Sequence, residues 1–245
     1  MKLSKQEKAA RKAAFHSMSP AKKLEHILTY YKWPILLTLI LLLVLGSVLR
    51  RELSRKEPLL YLALVNVSVG SELELGLTSD YLDAAGADAR RQEVYLYRDL
   101  YLSDDADTLN HEYAYASQMK VMGAIQAQKL DIVLMNREAY DIFSQKGYLA
   151  ELPALLREGD PAAAEMLTPF LSENEVVLSD NSIEVLLGET EAENRVTVSA
   201  PNALAVGSFP LFQYAGFDGE LFLGVLANSR HTEEALRYIQ YLSGR

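Results

Sequence analysis

Trp33 to Leu49 is a run of seventeen residues without a charged side chain, dominated by Leu, Ile and Val, closed by Lys32 on one side and by Arg50 and Arg51 on the other. As a helix rising about 1.5 Å per residue it is roughly 25 Å long, the short end of what spans a hydrocarbon core of about 30 Å. A soluble helix keeps a polar face, so one that is apolar all round with basic residues at both ends predicts a transmembrane helix over 33–50. Tyr30, Tyr31 and Trp33 form an interfacial aromatic belt, and Lys32 and Arg50 carry their charges out to the headgroups. The competing reading is a cleaved signal peptide. Its basic region would be 32 residues long, and Val44-Leu45-Gly46 is the one passable substitute for an Ala-x-Ala cleavage site.

Eight basic residues precede the apolar run and four follow it, namely Arg50, Arg51, Arg55 and Lys56. Basic segments are retained inside, so the expectation is a single-pass signal-anchor protein of the cell membrane, with its N-terminus cytoplasmic and its larger part extracellular. The first expected partner is therefore the lipid bilayer. The tail includes a short interfacial helix in this reading: Ser19 caps it, Pro20 takes its first position, and Leu24, Ile27, Leu28 and Tyr31 recur at helical spacing. Lys22 and Lys23 then face anionic headgroups. The expected organisation is a basic tail over 1–32, the membrane helix over 33–50, a linker over 51–57 and an α/β domain over 58–245. A reduced second lobe is placed at about 151–215.

The net charge of -9 conceals two opposed parts. Residues 1–57 hold twelve Lys/Arg against four Asp/Glu, whereas residues 58–245 hold twelve against twenty-nine. A phosphate backbone calls for a basic stripe, so the acidic part is not a nucleic-acid binder. Cysteine is absent, which excludes disulfides, thiolate metal sites, a cysteine nucleophile and lipid attachment through an N-terminal cysteine.

Beyond the linker the pattern alternates. Leu59 to Val67 reads as a buried strand, followed by a helix that starts at Thr78 or Ser79 and stops near Gly86. Glu93 to Tyr97 is a second strand. Asp104, Asp105 and Asp107 open a long helix to about Lys129, with Leu109, Tyr113, Met119, Met122 and Ile125 as its apolar contacts. Asp131 to Met135 is a third strand, and Arg137 to Gln145 a helix ended by Gly147. Strand–helix repetition of this kind predicts a doubly wound, mainly parallel sheet. Further on come a short helix from Pro161 to Phe170, short strands near Val176 and Val196, an exposed turn at Glu189, Glu191 and Glu193, and a strand from Glu220 to Ala227. A last helix is capped by Thr232 and buries Ala235, Leu236, Ile239 and Leu242.

Catalytic and metal signatures are missing. His16 and His26 fall in the inner segment, and His111 and His231 are isolated on helices, so no pair has metal-ligand spacing. The three aspartates lack the glycine and glutamate of a calcium loop and instead suit the positive end of a helix. No Gly-x-Ser-x-Gly and no phosphate-binding glycine loop occurs. Neither an enzyme nor a cofactor is expected. Tyr95 and Tyr97 share a strand face, which suits burial, and with Tyr101, Tyr113 and Tyr115 form the densest aromatic cluster; core packing and a sugar-stacking platform both fit it. Ligands of a doubly wound sheet bind beyond the C-terminal strand ends. Ser68, Ser71 and Asn136 follow two such ends and are the candidate ligand-binding residues, with loop capping as the alternative role.

Ala124 to Leu155 resembles a segment of bacterial extracellular solute-binding proteins, which have the type II periplasmic-binding-protein fold. The likeness is carried by Gln126-Ala-Gln-Lys-Leu, the strand Asp131-Ile-Val-Leu-Met, a helix holding Ala139 and Tyr140, and Gly147-Tyr-Leu-Ala-Glu-Leu-Pro. Leu221-Phe-Leu-Gly-Val and Glu234-Ala-Leu-Arg-Tyr-Ile resemble that family's late strand and helix. The Tyr-Tyr-Lys-Trp start of the apolar run resembles membrane-tethered proteins of anaerobic Gram-positive bacteria. The resemblance implies a truncated type II binding-protein-like domain that recognises a small ligand or an envelope protein. The alternative is a structural or regulatory interaction domain of the cell envelope that binds no ligand.

Overall fold

The computed structural model describes residues 32–53, 56–104, 111–181, 194–217 and 219–244. The expected tail helix, Leu109, Asp105, Asp107 and the turn at Glu189, Glu191 and Glu193 lie outside the described residues. The chain divides into two units, Met1–Arg55 and Lys56–Arg245.

The first unit is represented by α1, Lys32–Leu53. Its apolar side chains are exposed around the whole circumference, with Leu36, Leu37, Leu39, Ile40, Leu41, Leu42, Leu43 and Leu45 all among them. Both hydroxyls fold back onto the helix: Thr38 Oγ1 donates to the Pro34 carbonyl at 2.8 Å and Ser47 Oγ to the Val44 carbonyl at 2.7 Å. Among the described residues no helix is long and apolar enough to cross a membrane; within α1 the side chains of residues 32, 35, 48, 49 and 51–53 fall outside that description.

The second unit is mixed α/β. Its strands are β1 (Glu57–Val65), β2 (Gln92–Leu100), β3 (Ile132–Met135), β4 (Leu171–Asp180), β5 (Arg195–Ala205) and β6 (Phe222–Val225). They form one six-stranded sheet in the order β2-β1-β3-β6-β5-β4. The helices are α2 (Ser71–Leu77), α3 (Ser79–Ala84), α4 (His111–Gln126), α5 (Arg137–Gln145), α6 (Leu152–Gly159), α7 (Pro161–Leu167) and α8 (Thr232–Leu242).

The expected mainly parallel sheet is corrected to a mixed one. β1 runs parallel to β2 and to β3, but the β3–β6, β6–β5 and β5–β4 pairs are antiparallel. Phe222 to Val225 is buried at every position, and such a run reads identically in either direction. Residues 171–180 and 195–205, read as short strands of a second lobe, are the long arms of a hairpin that extends the same sheet.

The parallel half has the expected core. Leu62 lies opposite Ile132 and Leu64 opposite Leu134, all at most 2% exposed. This face also buries Leu223 and Val225 against Leu77, Tyr81, Leu152, Leu156, Tyr238 and Ile239. The opposite face buries Ala63, Val65, Val133, Met135 and Phe222 against Val121, Ala124, Ile125, Tyr140 and Phe143. The sheet is thus covered by helices on both sides, which explains its near-continuous apolar strands. Gly224 permits a close approach on β6, since a Cβ there would lie 2.8 Å from Leu149 Cδ2.

Several local expectations shift. Helix α4 buries Ser117, Val121, Ala124 and Ile125, whereas Tyr113 and Met119 are exposed. Tyr95 and Tyr97 do share a face with Tyr61, but Tyr95 stays 43% exposed because β2 is an edge strand. The cap position of α8 belongs to His231, with no side-chain cap bond, in place of Thr232. Helix α6 was not anticipated; its apolar spacing is short and Pro153 sits in its first turn.

Candidate recognition surfaces

The C-terminal ends of β1 and β3 lead into tightly bonded loops. Asn66 takes a left-handed conformation with φ of 56°, and its amide copies a strand: Nδ2 donates to the Leu102 carbonyl at 2.7 Å while Oδ1 accepts from Leu102 N at 2.8 Å. Asn136 caps α5 by accepting from Ala139 N at 3.0 Å. Ser68 is exposed in the loop, and Ser71 opens α2, also exposed. The three candidate residues therefore border the same sheet end, with Asn136 already engaged through its carbonyl oxygen. Neither of the two clefts described below is lined by them.

At the other end of the sheet, Asp131 is fully buried and its carboxylate accepts three hydrogen bonds. Tyr61 N donates at 2.8 Å, Ser229 Oγ at 2.6 Å and His231 Nδ1 at 2.9 Å. The backbone of Asp131 also bonds both neighbours, through Tyr61 O and Leu226 N. This node joins β1, the entry to β3 and the turn before α8. His231, isolated in sequence, finds its partner at Asp131 through the fold alone. Its ring continues a row formed by Tyr61, Tyr95 and Tyr97, with centroids 4.9 to 6.5 Å apart. Burial and the neighbouring phenols raise the pKa of Tyr97.

Removing the acceptor should be costly. Asp131→Ala strands the Tyr61 N–H in the sheet, and an unsatisfied buried donor costs about 1–3 kcal/mol. We expect its urea midpoint to fall accordingly, and Asp131→Asn, which keeps one acceptor oxygen, to fall less. Equal midpoints for Asp131→Ala and the parent would show that the node contributes nothing.

Two open clefts flank the sheet. One, of about 360 Å³, is lined by Tyr81, Gln92, Glu234, Arg237 and Gln240. On its floor the Tyr81 hydroxyl donates to Glu234, whose other oxygen meets Arg237 at 3.1 Å. Burial, followed by the carboxylate partner, drives the Tyr81 pKa far upward. The second, of about 610 Å³, lies between Gln145, Lys146 and Tyr148 and the hairpin residues Val177, Leu178, Asp180 and Arg195.

The hairpin is braced on its inner half by α5. The single Tyr140 O–H is shared between the Ser172 carbonyl and Asn202 Oδ1, Asn202 donates to Ser144 Oγ, and Ser144 donates to the Glu175 carbonyl, all at 2.8–2.9 Å. Burial lifts Tyr140 to about 12. Each polar group of this network is bonded, so it fixes the hairpin on the helix. On the outer half Arg195 donates to Gln145 Oε1 at 2.8 Å, while Leu178, Val196 and Val198 are exposed there.

Among the described residues no group of three or more acidic or histidine side chains is placed to hold a metal ion. No family model, curated protein or solved structure matches this chain.

Proposed function

We propose that the protein is a single-pass membrane-anchored recognition module, with α1 as the anchor and the acidic α/β unit recognising a ligand or partner protein outside the cell. The observation that carries this reading is the circumference of α1. Leucines exposed on every side have no place on a water-facing helix, and lipid is the solvent that suits them. The two hydroxyls bonded to their own helix agree, because a bilayer interior offers them no other partner. The basic excess before the helix supports an inside N-terminus.

One observation favours a protein partner over a small solute. The α/β part is one compact unit around one sheet, and its described cavities are open clefts on that unit, whereas a solute-binding protein encloses its ligand between two lobes. The interaction-domain reading therefore leads within this proposal, and an enzymatic role forms no part of it.

Protease added to cells stripped of their wall tests the topology. The expected result is digestion of residues 56–245 and survival of the N-terminal tail. Protection of the α/β unit until the membrane is opened would overturn the proposed orientation.

A further inference from the structure

Strand β5 is partnered unequally. β4 accompanies it from Arg195 to Leu204, but on its other side β6 reaches only Leu204 and Ala205. All five residues from Arg195 to Ser199 are exposed, and among the described residues their backbone makes no hydrogen bond to any element besides β4. Val196 and Val198 are each 44% exposed there. A two-stranded ribbon is marginal in water, and β-branched side chains stabilise it mainly when a further strand packs beside them. Unpaired edges of this kind are usually blunted by charge or covered. Here Arg195 is the stretch's single charge, and Pro201 stops strand addition only beyond Ser199.

We propose that the open edge of β5 from Arg195 to Ser199 accepts, by strand addition, an extended segment of a partner protein in which apolar and basic residues alternate. This rests on the reading that the unit recognises a protein, and it names the chemistry of that protein's contact. An edge of alternating N–H and C=O groups is complemented by another extended backbone, not by a sugar or a lipid. The two faces of the ribbon then dictate the alternation. Val198 lies opposite Val176, with Val196 on the same face, so side chains entering that side are apolar. Ser199 lies opposite Glu175, and its hydroxyl bonds the Glu173 carboxylate at 3.2 Å, so Thr197 and Ser199 share the acidic face. Long basic side chains reach across β5 to those carboxylates. A second copy of this chain is disfavoured, because pairing the same edges sets two acidic faces side by side.

The test uses the full chain in detergent micelles and the peptide acetyl-Thr-Val-Lys-Val-Lys-Val-Thr-amide, with binding read by calorimetry. Saturable binding is expected, weakened at least tenfold when alternate peptide nitrogens are methylated or both Lys are replaced by Glu. Val198→Glu should weaken it to the same degree. Thr197→Lys should reverse the preference toward the Glu peptide, which a merely misfolded variant would not do. Absence of binding at millimolar peptide, equal binding of the methylated peptide, or sedimentation as an edge-paired dimer overturns strand addition. Protease topology is read separately on intact cells, so a failed peptide with an accessible domain sinks this inference and leaves the anchor intact.

Discussion

With α1 as the proposed anchor, Leu41→Arg together with Leu42→Arg should move the protein out of the membrane fraction. Both positions lie mid-way along α1, in the stretch that holds no charge from Trp33 to Leu49. An arginine at the centre of a spanning helix costs about 2.5–3.5 kcal/mol on insertion scales, so the pair opposes insertion by roughly 5–7 kcal/mol. Neither arginine is close enough to Lys32 or Arg50 to escape by snorkelling to a headgroup without dragging the helix out of register. Alkaline carbonate extraction separates integral from adhering protein. The parent and a control with Ile at both positions should stay in the pellet, and the double-Arg variant should appear in the supernatant. A pelleted double-Arg variant would mean that some other element holds the protein to membranes.

Leu64→Ala and Leu134→Ala should each lower stability by about 2–5 kcal/mol out of a total of about 5–15 kcal/mol. The two side chains face each other across the parallel β1–β3 pair, with 2% and 0% of their surface exposed. Neither site can collapse easily, because helices cover both faces of the sheet. Exposed Asp83→Ala is the comparison and should move the urea midpoint little. The double variant should lose less than the two single losses together, since the residues share one packing site. Identical midpoints for all of these variants would remove Leu64 and Leu134 from the core.

The parallel half of the sheet was legible because its signals are local. Leu59 to Val67 and Asp131 to Met135 are short apolar runs, and the helical stretches that follow them carry ordinary stops at Gly86 and Gly147, both with positive φ. Asn136, a candidate ligand-binding residue with loop capping as the alternative, caps α5. What stayed hidden depends on distance in sequence or on direction. Strand polarity leaves no mark on a fully buried run such as Phe222 to Val225. The Asp131–His231 contact and the Tyr140–Asn202–Ser144 network join residues that no spacing rule connects. The recognition edge was hidden for a related reason: Val196 and Val198 alternate as a half-buried strand should, and only the pairing shows that the buried side is missing.

The last strand of the chain occupies an interior place in the sheet. β6 lies between β3 and β5, so it is the wedge that joins the parallel half, β2-β1-β3, to the antiparallel half, β5-β4. During synthesis both halves exist before their connector does. The parallel half is complete in sequence at Met135 and the hairpin at Ala205, yet each presents a raw inner edge until Phe222 to Val225 leave the ribosome and insert. A nascent chain halted between β5 and β6 thus carries two inner edges that β6 would otherwise pair, in addition to the outer edges at β2 and β4.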